Sequence, residues 1–275
     1  LITAKQTIAN MGPAAVSASS YALIARLGKP TDPHEQDSMT IHVGPTGYLD
    51  GKSVFDTDYD DLEEAPNRTV RYSSAGWLGF TDKYWLAAII PAKGERVTAA
   101  MSSPATNNYQ TLFARDFRQI APGKQVTTTS RIFAGAKEVS TLQSYENDQG
   151  ITRLSNAIDW GWCEFFEVPI FKLLDWLFKQ VGNFGLAIMM LTLIIRVLMF
   201  PIANRQFSSM AQMRLVQPKM KALQERYKDD KPKMQQELMK LYKDEKINPL
   251  AGCLPILLQI PIFYALYKVL MLTIE

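Results

Sequence analysis

The sequence predicts a multidomain membrane protein in which a mostly β domain of sandwich type precedes an α-helical membrane region. Short runs rich in β-branched and aromatic residues, separated by turn residues, fill residues 1–150. Beyond residue 180, two long apolar segments enclose a polar, basic stretch, which is the pattern of two membrane spans joined by a loop. The mean hydropathy of the whole chain, −0.09, averages over these two regions and hides the difference.

The amino-terminal domain, residues 1–150, is predicted to be an antiparallel sandwich of short strands. It carries 14 Lys and Arg against 16 Asp and Glu, so its net charge is −2. Strands are expected at residues 39–43, 69–72, 85–90 and 125–133. Gly44-Pro45 is expected to form a turn. The acidic run at residues 56–64 is expected to be a solvated loop or edge, since it lacks the spacing of a calcium-binding loop.

Residues 151–182 are interpreted as a junction followed by an amphipathic helix. Residues 161–179 combine many Trp, Phe and Leu side chains with regularly interspersed charges. This segment is too charged to span a membrane and too aromatic for a soluble surface, so the pattern favours a helix in the membrane interface. A core helix of the preceding domain is the alternative. Pro169 is expected to start or kink this helix.

The first membrane span is predicted at residues 183–204, and it contains one charged side chain in its middle, Arg196. An arginine at the centre of a bilayer costs at least ~2.5 kcal/mol. The chain therefore needs a polar partner, water or a protein interior around this side chain. Thr192 lies four residues earlier and shares the helix face of Arg196. The sequence predicts a polar cavity inside the membrane that contains both residues.

Residues 205–247 are predicted to form a cytoplasmic helical hairpin. They hold 11 Lys and Arg against 6 Asp and Glu, and this net charge of +5 places them on the cytoplasmic side. Methionines recur at helical spacing on one side of the two helices: Met210, Met213, Met220 and Met234. These methionines either hold the two helices together or form an adaptable apolar surface for partners. Residues 1–182 then lie on the periplasmic side of a bacterial inner membrane.

The second span is predicted within residues 248–275. Pro255 and Pro261 each remove a helix hydrogen bond, so bends are expected there, and also at Pro201 near the end of the first span. Gln259 lies between the two prolines of the second span. Lys268 is expected to extend its amine to the membrane surface.

Several site classes find no support in the sequence. Cys163 and Cys253 lack the spacing of a metal site, and no phosphate-binding loop or direct nucleic-acid site is apparent, so no cofactor or metal is predicted. His34 and His42, with neighbouring acidic residues, are the only candidates for acid–base catalysis in the first domain. Such residues are usually solvated, and the chain is predicted not to be an enzyme.

Four sequence segments resemble the YidC membrane-protein insertase family. They are Asn-Phe-Gly at 183–185, the span with Thr192 and Arg196, the run Ser-Met-Ala-Gln-Met-Arg-Leu-Val-Gln-Pro-Lys at 209–219, and the long match from Glu245 to Phe263. The resemblance is specific from about residue 160 onward and weaker before it. It implies that residues 1–150 are most of a periplasmic β-supersandwich akin to sugar mutarotases. It also implies that one preceding span and three following spans are missing from this sequence.

The resemblance further implies a function and its partners. In the family, a hydrophilic groove open to the cytoplasm and to lipid receives polar segments of incoming chains, and Arg196, Thr192 and Gln259 correspond to groove positions. The implied partners are nascent membrane proteins and the lipid bilayer, with the Sec translocon and its accessory subunits, the ribosome and the signal recognition machinery as further candidates. A transporter or channel subunit is the alternative, because a buried arginine beside a bent, glutamine-containing helix also suits an anion path.

Overall fold

The structure is a computed structural model that describes residues 1–31, 41–64, 76–227, 231–244 and 254–272. The chain divides into two compact units, one built mainly from Leu1–Gly161 and one from Trp162–Leu270. The first is mostly β and the second is helical. The predicted fold class, a β-sandwich domain followed by a helical membrane region, is confirmed.

Eleven strands lie in the described part of the first unit. They are β1 Ile2–Ala9, β2 Val16–Ala18, β3 Tyr21–Leu27, β4 Gly44–Leu49, β5 Lys52–Val54, β6 Trp77–Thr81, β7 Trp85–Pro91, β8 Val97–Ala105, β9 Asn108–Arg115, β10 Arg118–Ile120 and β11 Gln125–Ala136. The predicted strands at 85–90 and 125–133 correspond to β7 and β11. The predicted strand at 69–72 and the first two residues of that at 39–43 lie outside the described residues, and the prediction is wrong for residues 41–43, which are not in a strand.

The strands form a six-stranded sheet in the order β1-β11-β7-β6-β4-β5 and a three-stranded sheet in the order β3-β9-β8. A short pair, β10 with β2, completes the described sheets. All strand pairs are antiparallel. Alternate side chains of β9 are buried, as expected for a strand with one face toward a core. The core contains apolar side chains from both larger sheets, including Leu78, Ile89, Met101 and Phe113.

The predicted turn at Gly44-Pro45 is wrong, because both residues belong to strand β4. Pro45 stands opposite Phe80 of β6, whereas β5 pairs only with Gly47–Leu49. Among the described residues, one side of Pro45 therefore has no neighbouring strand, and a proline without an N–H is tolerated at such a position. The residues just before it, 41–43, are not in a strand.

Two helices in the first unit differ from the prediction. Helix α1, Tyr59–Glu64, occupies most of the acidic run that was expected to be a loop, and it buries Tyr59 and Leu62. Helix α2, Val139–Gln149, was not predicted, and it buries only Val139 and Leu142. With so few buried positions, α2 lacks the strong apolar periodicity that marks a helix in a sequence.

One buried arginine joins the two larger sheets. Arg115, at the end of β9, donates through Nε to Glu95 Oε1 at 2.7 Å. Its Nη2 donates to the Thr129 carbonyl at 3.0 Å and to Ser130 Oγ at 3.1 Å, both on β11. The side chain is 2% exposed, so its charge is compensated almost entirely by protein groups.

Four helices are described in the second unit: α3 Glu164–Val181, α4 Phe184–Arg226, α5 Lys231–Asp244 and α6 Leu254–Leu272. Asn183 begins α4 as its N-cap, and its side-chain oxygen accepts from the Leu186 N–H at 3.1 Å. Gly182, in a left-handed conformation at φ 68°, ends α3. A helix–Gly–Asn–helix junction thus separates the amphipathic helix from the first span.

Helix α4 is 43 residues long and continues from the predicted span into the first helix of the predicted hairpin. Pro201 lies inside this continuous helix. In α6, Pro261 is internal and Pro255 is the second described residue of the helix, and the bends expected at the three prolines stay predictions. Helix α5 returns along α4, and the Tyr242 hydroxyl donates to Met220 Sδ at 3.6 Å between them.

Candidate groove between two apolar helices

The amino-terminal half of α4 is apolar on its surface as well as in composition. The most apolar 18-residue window within Phe184–Asn204 has a mean hydropathy of 2.4, yet only 11% of it is buried inside the protein. Leu193, Val197 and Leu198 are all more than 60% exposed. A soluble protein rarely exposes so large a contiguous apolar surface. The surface suits a lipid environment, and 21 residues are enough to cross the hydrocarbon layer.

Helix α6 has the second apolar surface of this unit. Its described apolar part, Gln259–Leu272, is shorter than a complete span, and the neighbouring residues 245–253 and 273–275 are outside the described part of the chain. Leu257, Ile260 and Tyr267 are more than half exposed. The described part of the chain therefore contains one helix that meets the length and hydropathy of a complete span.

A cavity of about 490 Å³ lies between α4 and α6. Its lining residues from α4 are Thr192, Ile195, Arg196, Met199, Phe200 and Ala203, and those from α6 are Gln259, Ile262, Phe263 and Leu266. Each set follows the spacing of three and four residues that places side chains on one helix face. The cavity is therefore formed where one face of each helix is turned toward the other.

The three predicted groove residues, Arg196, Thr192 and Gln259, all line this one cavity. They are the polar members of an otherwise apolar lining. The Thr192 hydroxyl donates to the Met189 carbonyl of its own helix at 2.8 Å, so its oxygen still has acceptor capacity on the cavity side. Arg196 is exposed rather than enclosed by protein, so its guanidinium is accessible from the cavity.

The arrangement gives the cavity a definite chemistry. A guanidinium offers five N–H donors in a plane and keeps its charge, so it attracts carboxylates and water without proton exchange. The Gln259 side chain can both donate and accept. The apolar residues around them favour apolar segments of a ligand. The cavity can thus bind a chain segment that carries polar groups among apolar ones.

The other predicted site residues are located as follows. Met220 contacts Tyr242 across the hairpin and is half-buried, as is Met234 on α5. The side chains of Met210 and Met213 lie outside the described part of the chain. The role of this methionine surface stays a prediction.

The prediction that Lys268 reaches the membrane surface is wrong. Its side chain is 2% exposed, and its Nζ lies 3.8 Å from Glu167 Oε2 of α3, whose side chain is fully buried. The pair could not be predicted from the sequence, because the two residues are about a hundred positions apart. The available signal was a lysine within an apolar helix together with a glutamate on the amphipathic helix.

Of the two histidines considered for catalysis, only His42 is described. Its Nε2 lies 2.8 Å from the Pro45 carbonyl oxygen, and burial lowers its pKa below the ordinary 6.5. His34 and its acidic neighbours are within residues 32–40, outside the described residues. The contact with a backbone carbonyl accounts for His42 as a structural residue.

Two protein families match the chain in succession. Residues 1–173 match the YidC periplasmic domain, and residues 176–275 match the 60Kd inner membrane protein family. The boundary between them falls within α3.

Individual relatives match along the whole chain. The membrane protein insertase YidC of Paracoccus denitrificans is 45% identical over 283 residues, covering 100% of this chain and 44% of the relative. The proteins of the same name from Methylobacterium radiotolerans and Zymomonas mobilis are each 43% identical, again over 100% of this chain, and 46% and 47% of their lengths are covered. The chain thus spans about half the length of these relatives. With a YidC periplasmic domain over more than half of its residues and the 60Kd inner membrane protein family over the rest, the chain belongs to the YidC family.

Proposed function

We propose that this chain is part of an insertase of the bacterial inner membrane, and that the cavity between α4 and α6 receives the polar part of an incoming membrane protein. The observation that carries the proposal is the presence of Arg196, Thr192 and Gln259 together in one cavity between two helices with lipid-compatible outer surfaces. The function requires no covalent chemistry of the protein, so the role is not enzymatic.

Arg196 acts as the electrostatic attractor in this mechanism. Its charge draws water into the cavity and binds a carboxylate or a backbone carbonyl of the incoming segment. The polar segment then has favourable contacts at a depth where bare hydrocarbon would offer none. The apolar segment that follows leaves the open cavity sideways into lipid, where its transfer is favourable.

The orientation follows from the distribution of charge. The basic residues 205–247 face the cytoplasm, and residues 1–182 lie on the periplasmic side. The carboxyl-terminal half of α4 and helix α5 then form a cytoplasmic hairpin at the mouth of the groove, where nascent chains arrive. Nascent membrane proteins and the lipid bilayer are the partners of this function. The Sec translocon, the ribosome and the signal recognition machinery are further partners of the same proposal.

The proposal is tested by reversing the groove charge in the full-length protein. Arg196→Glu is introduced, and insertion of a substrate with an acidic translocated tail is measured by protease protection in inverted membrane vesicles. Insertion of this substrate should fall, because the groove would repel the tail. Arg96→Glu is the matched control, since it makes the same substitution at an exposed position just before β8 in the first unit, at a residue that does not line the cavity.

Unchanged insertion in the Arg196→Glu protein, with the control also unchanged, would contradict a direct role of the charge. An anion flux through liposomes that contain the pure protein, lost in Arg196→Glu, would instead favour the channel alternative.

A further inference from the structure

The second unit contains an ion pair that the groove mechanism does not use. Glu167 lies in the first turn of α3, and Lys268 lies in the carboxyl-terminal half of α6. Their side chains are 0% and 2% exposed, and Lys268 Nζ is 3.8 Å from Glu167 Oε2. Removing either charge would leave the other one buried against apolar side chains, which is strongly unfavourable.

Apart from this pair, the buried side chains in the described part of the second unit are apolar. Buried side chains of α4 and α6, namely Ala187, Leu191, Ala265 and Val269, each have at most 1% of their surface exposed. Cys163, the residue before α3, is also buried, and its thiol pKa is raised by burial and by the charge of Glu167. In such surroundings an ion pair acts over a longer range than in water, so it constrains the relative position of the two helices.

The direction of Lys268 matters for the groove. Nine residues separate it from Gln259, which is about two and a half helical turns, so the two side chains leave α6 on opposite sides. Gln259 and its neighbours Ile262, Phe263 and Leu266 line the cavity, whereas Lys268 turns toward α3. Because Glu167 holds Lys268 on one side of α6, the opposite side, which carries Gln259, is turned toward the cavity.

We propose that the Glu167–Lys268 pair is a positioning contact that fixes the rotation of α6 and so presents the Gln259 face to the groove. The effect of this contact on insertion rests on the proposed function, whereas its effect on the rotation of α6 does not. Glu167 is also suited to the position, because a carboxylate in the first turn of a helix is stabilised by the helix dipole. The amphipathic helix thereby has a second role besides covering the membrane surface, as the support for one groove wall.

The test measures groove geometry and insertion separately in the full-length protein. Spin labels are attached at Leu198 on α4 and Ile260 on α6, which are 69% and 57% exposed, and their distance distribution is recorded by pulsed electron paramagnetic resonance. The protein with the native pair should give one narrow peak. Glu167→Gln, which preserves shape but removes one charge, should lose that peak and give a broad distribution.

The charge-swapped protein, Glu167→Lys with Lys268→Glu, distinguishes pairing from mere packing and should recover the narrow peak. If Glu167→Gln does not accumulate as folded protein, Lys268→Arg and Lys268→Met are compared instead. Lys268→Arg, which keeps the charge, should keep the narrow peak, and Lys268→Met should lose it. A native distance distribution in the single-charge variants would overturn the proposal. A charge-swapped protein whose distance distribution is as broad as that of the single-charge variants would also overturn it.

Insertion of a substrate with an acidic tail is measured in the same variants. Loss of the narrow peak with unchanged insertion would leave the positioning inference intact and contradict the groove function. Loss of both, with recovery of both in the swapped protein, supports the two together.

Discussion

Replacing Arg196 with methionine is the change that isolates the groove charge. Methionine is also unbranched and is tolerated on a helix surface, so the main effect is the loss of the guanidinium. The cavity of about 490 Å³ has room for roughly 16 water molecules at about 30 Å³ each. Since Arg196 itself is exposed, we expect this cavity to hold water around the guanidinium.

The size of the expected effect on the insertion rate can be estimated from the environment of the guanidinium. A carboxylate about 4 Å from the guanidinium gains about 4 kcal/mol at an effective dielectric near 20, and about 1 kcal/mol in bulk water. Because the groove is open, the net loss should lie toward the lower value, at about 1–2 kcal/mol after desolvation. This corresponds to a roughly 5- to 30-fold slower passage of an acidic segment.

The assay compares two substrates that differ by one aspartate-to-asparagine change in the translocated tail, each with the native protein, Arg196→Met and Arg196→Lys. The acidic substrate should slow in Arg196→Met, and Arg196→Lys should recover part of the rate. The neutral substrate should change by less than about threefold, since it lacks the charge–charge contribution. Equal slowing of both substrates would show that the guanidinium does not act through the charge of the tail.

Three further predictions concern the first unit. Gly79→Ala should lower the free energy of unfolding of this unit by about 3 kcal/mol or more, because the added Cβ would lie 1.8 Å from the Ala87 carbonyl oxygen. Gly135→Ala is the control, since its added Cβ has no contact closer than 3.6 Å. Urea-dependent proteolysis measures the stability of both variants. Arg115→Met should cost about 3–5 kcal/mol in the same assay, because it breaks a buried charged network between the sheets. Burial lowers the pKa of His42 below 6.5, so the unfolded chain binds a proton that the folded chain does not, and stability should fall as pH drops below about 6.5. Between pH 7.5 and 5, the thermal unfolding temperature of His42→Gln should therefore change less than that of the native protein.

The sequence predicted those features that depend on local periodicity. Strands β7 and β11 were predicted from β-branched runs, and the apolar span at the start of α4 from length and composition alone. Thr192 and Arg196 share a face because they are four residues apart, which is a property of any helix. The position of Gln259 across from them depended on the family resemblance, since no local rule brings two distant helices together.

Features that depend on tertiary packing were not predictable. Lys268 looked like a lysine near a span end, and only the packing of α3 against α6 shows that its amine is buried beside Glu167. Pro45 looked like a turn residue, but the short β5 leaves one of its sides without a strand partner among the described residues. Helix α2 buries so few side chains that its sequence carries little apolar periodicity.

Water access to the groove at the depth of Thr192 is the property on which the proposed insertase function depends most. Single cysteines are placed at Thr192, which lines the cavity, and at Met190, which lies two residues earlier on the other side of α4, in full-length protein without Cys163 and Cys253. Both are exposed to a membrane-impermeant thiol reagent from the cytoplasmic side. We expect rapid labelling at Thr192 and slow labelling at Met190, because in the proposed groove the first would face water and the second would face lipid. Equally slow labelling at both positions in folded protein would contradict an aqueous groove.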